Sequence, residues 1–317
     1  MGLKNIFKEK KRKKFPSDEK VVSLSCKVDI IDILLNATVA IVTGSVLMLA
    51  ETLQGISDLI VDGLTFIGMK RSKRTATEKH PLGFGRELYL WSLFSVLIMF
   101  SLLAGMSLYF GFLRIVRPET ISHIFLIYFI LTLSLFTNSY SFSLGARRLL
   151  AGQPFWKIRQ AFSESTFLEA KITFISDLMG ILAALFGLIA LFLFDKTGKF
   201  WFDGLGAVAI GLLMIFSSIF LFKNVRDFII GVSASKEIKD KIKKAALEIR
   251  GVKQVLDLKA MVIGSNRLLV NLEIHVQKGL VTEEIEQLID RVKSKIKEKI
   301  PSAHHIQVEL ETPDKEN

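Results

Sequence analysis

The chain reads as an α-helical membrane protein, six transmembrane helices followed by a small α+β domain. Three observations carry this. Half of the 317 residues are hydrophobic, and the mean hydropathy is +0.41. The apolar residues gather in runs of about 20 or more, enough to cross a hydrocarbon core of about 30 Å as helices. From about residue 234 those runs give way to Lys alternating with Glu. Phe 25 against Pro 6 excludes disordered and collagen-like chains. A single cysteine, Cys26, excludes a disulfide framework and a cysteine-based zinc cage.

The spans run roughly 28–44, 46–68, 87–113, 121–146, 165–194 and 201–222. Only Thr43-Gly44-Ser45 separates the first two, which makes them a tight helical hairpin. Orientation follows from the basic residues, which are retained on the cytoplasmic side. The N-terminal segment 1–27 and the loops after spans two and four hold nineteen flanking Lys and Arg, and the opposite side holds only Arg114, Arg117, Lys196 and Lys199. Both termini are therefore expected in the cytoplasm, with the chain in the plasma or inner membrane.

The net charge of +11 divides unevenly: from 234 on, 16 Lys and Arg face 14 Asp and Glu, so +2 lies there and +9 in the membrane half. A basic run such as KEKKRKK at 8–14, ahead of a span, sets topology and touches anionic lipid, and no nucleic-acid partner is expected. The expected division is 1–27 basic segment, 28–233 membrane domain and 234–317 cytoplasmic domain.

The last part reads in the order α-β-β-α-β, a ferredoxin-like arrangement with helices on one face of a sheet. Ile238, Ile242, Ala245 and Ile249 share one helical face, and Gly251 ends that helix. Strands follow at 252–262 and 267–276 around a Gly264-Ser265-Asn266 turn, with Leu268, Val270, Leu272 and Ile274 on the buried face. Thr282 is the expected cap of a second helix striped by Ile285, Leu288, Val292 and Ile296. Pro301 stops it, and a strand carries Ile306, Val308 and Leu310.

Ionisable groups inside spans cost about 2.5–3.5 kcal/mol on insertion scales, so each is a functional candidate. Span two holds Glu51, Gln54, Asp58 and Asp62 on one helical stripe, and span five holds Glu169, Thr173 and Asp177 on another. Asp58 and Asp177 each lie about a dozen residues into their spans, roughly 18 Å and near the midplane. If the stripes face each other, antiparallel geometry levels Gln54 with Asp177 and Asp58 with Thr173. Four oxygen-bearing corners then surround one point, suited to a dehydrated divalent cation. Glu51 falls toward the outer mouth and Glu169 toward the inner one, where a carboxylate serves as gate or proton path or simply snorkels to water. Gln54 and Thr173 also have a bland reading as interhelical hydrogen-bonding residues. Gly180, Ala184 and Gly187, and Gly204, Ala207 and Gly211, read as packing faces.

TGSVLMLAETLQGISD at 43–58, HPLGFGRE at 80–87, AGMSLYFG at 104–111 and ISDLMGI at 175–181 together resemble the cation diffusion facilitator family. The AGxSLYxG wording is similar to its branch containing mammalian zinc transporter nine. The resemblance covers nearly the whole chain. It implies export of zinc, manganese, iron or cobalt from the cytosol in exchange for protons, by homodimers joined through the C-terminal domain, with alternating access and no resident cofactor. The family's transport site maps onto Gln54, Asp58, Thr173 and Asp177. Zinc transporters of the family have His where this chain has Gln54 and Thr173, so the ligand set becomes oxygen-only, which suits harder ions such as Mn²⁺. The cytoplasmic domain has Leu256 and Leu310 where metal-binding members have His. It is expected to dimerise without a binuclear metal site, with His275 solvated. A non-transporting sensor or scaffold of the family is the alternative. An intramembrane aspartyl protease is a remote one, since the nearest string to its GxGD pattern is the reversed Asp203-Gly204-Leu205-Gly206.

Overall fold

The computed structural model describes residues 18–150 and 152–313, with side chains from residue 29 onward. The basic run 8–14 and the side chain of Cys26 fall outside these residues. Helices α1 (Asp18–Thr43) and α2 (Val46–Ser72) form the expected hairpin, with Gly44 at φ 68° allowing the reversal that a Cβ would strain. Span three is α3 (Glu87–Ile98), a π-helical turn (Met99–Leu103) and α4 (Ala104–Val116). The sequence reading contains no sign of that π turn. Span four is α5 (Ile124–Leu150), span five α7 (Leu168–Thr197) and span six α8 (Trp201–Ile230), which continues well past the expected end at 222. The loop between α5 and α7 carries the short helix α6 (Ile158–Glu164), also unforeseen.

Among the described residues, four helical spans, Glu87–Val116, α5, α7 and α8, are long and apolar enough to cross a membrane by length and composition. With 26 and 27 residues, α1 and α2 are of similar reach, and their acidic residues dilute the hydropathy. Large apolar side chains such as Ile41, Phe125, Phe136 and Phe216 point outward, as a lipid-facing surface requires. Inside, α4 packs on α8, α5 on α7, and α2 on α1, α3 and α8. The small residues lie at these crossings. A Cβ on Gly204 would meet the Gly111 carbonyl oxygen at 2.6 Å, and one on Gly211 would meet Leu108 at 2.9 Å.

One buried ion pair closes the outer end of the bundle, the end away from the C-terminal domain. Asp203, in the first turn of α8 and 2% exposed, faces Arg114 of α4, 4% exposed, with Arg114 Nε 3.1 Å from Asp203 Oδ2. Asp203 also accepts from Ser45 Oγ at 2.5 Å and from the Val46 and Leu47 amides at 2.8 and 3.2 Å, so it caps the N-terminus of α2 in trans. Arg114 donates to the Gly44 carbonyl and to Glu119 Oε2. The α1–α2 turn, α4 and α8 thus meet at one charge pair.

The C-terminal domain places α9 (Lys236–Leu247) and α10 (Thr282–Lys299) on one face of a sheet ordered β1 (Val252–Gly264), β2 (Arg267–Val276), β3 (Ala303–Leu310). β1 and β2 are antiparallel, whereas β2 and β3 are parallel, with α10 as the crossover. Leu268, Val270, Leu272 and Ile274 are buried against Ile242, Ala245, Leu288 and Val292, as the period of two required. The cap differs from expectation. Thr282 is the first helical residue, and the Glu284 carboxylate accepts from the Val281 amide instead.

Removing one partner of a buried ion pair strands the other, at a cost of about 3–5 kcal/mol. Arg114→Ala is therefore expected to lower the unfolding midpoint of the detergent-solubilised protein markedly, and more than Arg117→Ala, whose residue lies outside the pair. Equal melting of the two variants contradicts this role.

Candidate functional site

The α2 stripe faces the bundle interior, because lipid offers nothing to solvate a carboxylate. Glu51 and Gln54 are buried; Asp58 and Asp62 are half-buried. Gln54 Nε2 donates to Asp58 Oδ2, one turn away on the same helix, and the other oxygen, Asp58 Oδ1, is buried without a hydrogen-bond partner. Across from it, Asp177 of α7 accepts from Ser141 Oγ of α5 at 2.8 Å through Oδ1, while its Oδ2 is likewise buried and unpartnered. Each carboxylate therefore has one oxygen tied and one free.

Gln54 turns to Asp58 on its own helix, and Thr173 makes no side-chain hydrogen bond among the described residues. Beside them α5 contributes Ser141 and Gly145. A Cβ on Gly145 would lie 3.1 Å from Asp177 Oδ2, so the glycine leaves the space beside that oxygen open. Span one contributes Asp32, which accepts from Ser134 Oγ of α5 at 3.0 Å, and Asp29 three residues before it. Both groups were missed, although the same periodicity marks them: 29, 32 and 36 on α1 and 134, 138, 141 and 145 on α5 recur at three and four residues. No group of three or more His, Cys, Asp or Glu arranged to hold a metal forms among the described residues.

Glu169, at the start of α7, does not sit free at the inner mouth. Its Oε1 accepts from Ser265 Oγ, at the tip of the β1–β2 hairpin, at 2.7 Å. That tip is seated under the loop after span two. A Cβ on Gly85 would meet the Ile263 carbonyl oxygen at 2.3 Å and Gly264 Cα at 3.0 Å. The connection 231–234 continues the docking, with Ala234 N donating to Ala260 O and Val262 N to Val232 O, both at 2.8 Å. In the C-terminal domain, His275 Nδ1 lies 3.2 Å from the Glu311 carbonyl oxygen. Asp203, weighed against the protease pattern, belongs to the outer ion pair, far from Asp58 and Asp177 along the chain's spans.

Residues 24–229 match the family described as the cation efflux transmembrane domain, and residues 234–313 that described as the cation efflux protein cytoplasmic domain. The chain belongs to the cation efflux family, whose members are membrane transporters and not enzymes. It is 24% identical over 289 residues to the mitochondrial proton-coupled zinc antiporter SLC30A9 of Homo sapiens, covering 88% of this chain and 50% of that protein. It is 25% identical over 275 residues to the cation efflux system protein CzcD of Alcaligenes sp., covering 85% and 80%. The chain spans about half the length of the SLC30A9 proteins it matches. Among solved structures, the MamM CTD in a nickel form is 23% identical with a TM-score of 0.24, covering 25% of this chain and 99% of that one.

Because Gly85 touches backbone, which has nowhere to retreat, Gly85→Ala is expected to lift the hairpin tip from the membrane domain. Limited proteolysis of the detergent-solubilised protein should then cut near 231–234 faster than in the unaltered chain, and an unchanged cleavage rate contradicts the docking.

Proposed function

We propose that the protein exports divalent metal cations from the cytosol in exchange for protons, holding the cation between Asp58 and Asp177. The observation that supports this reading most is the pair of half-satisfied carboxylates, Asp58 Oδ1 and Asp177 Oδ2, buried without partners. Neither aspartate forms an ion pair with Lys or Arg among the described residues. Two such anions in a low-dielectric bundle require a cation or protons, and exchanging one for the other is antiport. Gln54 orients Asp58 through its amide nitrogen, which leaves its carbonyl oxygen for the cation. Thr173, one turn before Asp177 on α7, supplies a hydroxyl. Glu51 and Glu169 flank this centre toward the outer and inner mouths.

Alternating access then consists of entry past Glu169, rocking of the bundle about the aspartate pair, and release past Glu51 as protons arrive. The working unit in this reading is a homodimer joined through the C-terminal domain, with both termini and the basic loops in the cytosol. Zn²⁺, Mn²⁺, Fe²⁺ and Co²⁺ are the cargo the family resemblance implies, and an oxygen-only donor set without imidazole tilts the choice toward harder ions such as Mn²⁺.

Vesicles holding a metal-sensitive dye test this. A pH gradient is expected to drive Mn²⁺ and Zn²⁺ uptake at comparable rates, Asp58→Ala to abolish it, and Gly145→Ala to raise the Mn²⁺ concentration for half-maximal rate severalfold. Absence of movement with every metal tried contradicts the transporter reading and favours a sensor or scaffold. A strict preference for Zn²⁺ contradicts the oxygen-donor argument.

A further inference from the structure

Lys171 lies three residues into α7, about 5 Å from its inner end, and is 6% exposed. Its ammonium carries three donors, yet among the described residues it makes no hydrogen bond and no ion pair. It stands over two rings instead, Phe162 of α6 at 5.2 Å and Phe228 of α8 at 5.4 Å. Asp227, next to Phe228 in the chain, is bonded to Arg226 at 3.0 Å. Exchange at the aspartate pair gives this buried cation no part. Along α7 its stripe continues toward the outer end, with Ile175, Leu178 and Leu182 following at four, three and four residues. These three, with Phe216, Ser217 and Phe220 of α8, line a cleft of about 290 Å³. Phe216 and Phe220 are exposed, so the cleft opens on the lipid side. The Phe162 ring joins cation and cleft, packing on Phe220 at 5.8 Å while the ammonium stands over it. From Lys171 to Leu182 the stripe runs about 16 Å, half of a hydrocarbon core of about 30 Å. The inner end of the cleft is also basic: Lys157 and Arg159 flank the start of α6 beside exposed Phe155 and Trp156, and Lys223 lies three residues inward of Phe220 on α8.

Two aromatic faces attract an ammonium but accept no strong hydrogen bonds, so Lys171 keeps donors without acceptors in a low-dielectric bundle, which costs free energy. Hydrocarbon tails alone cover the cleft and leave the cation unanswered. A molecule with an anionic head and an acyl chain as long as one leaflet answers both. Basic pockets between helices near the membrane surface bind anionic lipid heads by this chemistry, and exposed Trp156 marks the headgroup level beside α6. We infer that Lys171 and the α7–α8 cleft form a site for an anionic phospholipid of the leaflet on the C-terminal domain's side. Its phosphate meets the Lys171 ammonium, and one acyl chain lies along Ile175, Leu178 and Leu182. Phe162 is a positioning residue, since its ring holds the ammonium at the head of the cleft. The site uses none of the aspartate pair and stands whether or not that pair carries metal.

The test strips the purified full-length chain of lipid in a neutral detergent and titrates it with phosphatidylglycerol or phosphatidylcholine of matched chains, reading bound lipids by native mass spectrometry. The first phosphatidylglycerol is expected to bind about fivefold or more tightly than phosphatidylcholine, the worth of about one basic residue at an anionic surface. Lys171→Met keeps the apolar stem and is expected to erase that preference, while Lys171→Arg retains it. Leu182→Trp fills the cleft and is expected to weaken both lipids. If Lys171→Met does not fold, Lys171→Gln makes the same comparison. Equal binding of the two lipids by the unaltered chain, or a preference that survives the loss of the Lys171 charge, overturns the site. Unchanged phosphatidylglycerol binding in Leu182→Trp overturns it as well, because the chain then lies elsewhere. Inorganic phosphate held as tightly as phosphatidylglycerol, and lost in Lys171→Met, overturns the lipid in favour of a free anion.

Discussion

A carboxylate buried among apolar helices must have a counter-charge, a full set of donors, a proton or a cation, and the acids of this chain are sorted by which of these they receive. Asp203 receives everything the protein has to offer: a guanidinium, a hydroxyl and two backbone amides at the start of α2. It is finished, and it holds helices together. Asp58 and Asp177 receive one donor each, from Gln54 and Ser141, and keep one oxygen open. The same physical cost thus yields a structural acid at the outer end and unfinished acids at the centre, and the proposed transport rests on the unfinished ones.

The two ends of the bundle are held by different means. The outer end is closed by the Arg114–Asp203 pair, which gathers the α1–α2 turn, α4 and α8. The inner end is held by the C-terminal domain, whose hairpin tip contacts Gly85 by backbone and Glu169 by the Ser265 hydroxyl. Glu169 stands one turn before Thr173 and two before Asp177 on α7. The hairpin contact and Asp177 therefore lie on one continuous helix.

Much of this was legible in the sequence. The alternation of β2, the α1–α2 hairpin, the small-residue crossings and the acid stripes of α2 and α7 all follow from periodicity within one element. What stayed hidden depends on two elements at once. Nothing local says that Arg114 will meet Asp203, that Ser265 will reach Glu169, or that the glycine at 145 leaves room for a carboxylate from another helix. Gln54 makes a purely local contact: its amide nitrogen donates to Asp58, four residues along the same helix. Asp29 and Asp32 were legible too, since with Asn36 they recur at three and four residues on α1, the same periodicity that marks α2 and α7.

The central claim is that one cation sits between the open oxygens of Asp58 and Asp177. The most direct measurement is anomalous scattering from crystals of the full chain grown with Mn²⁺. The account predicts a peak between those two carboxylates at the level of Gln54 and Ser141, lost in Asp58→Asn. A map with Mn²⁺ bound elsewhere in the chain and none between Asp58 and Asp177 would contradict it.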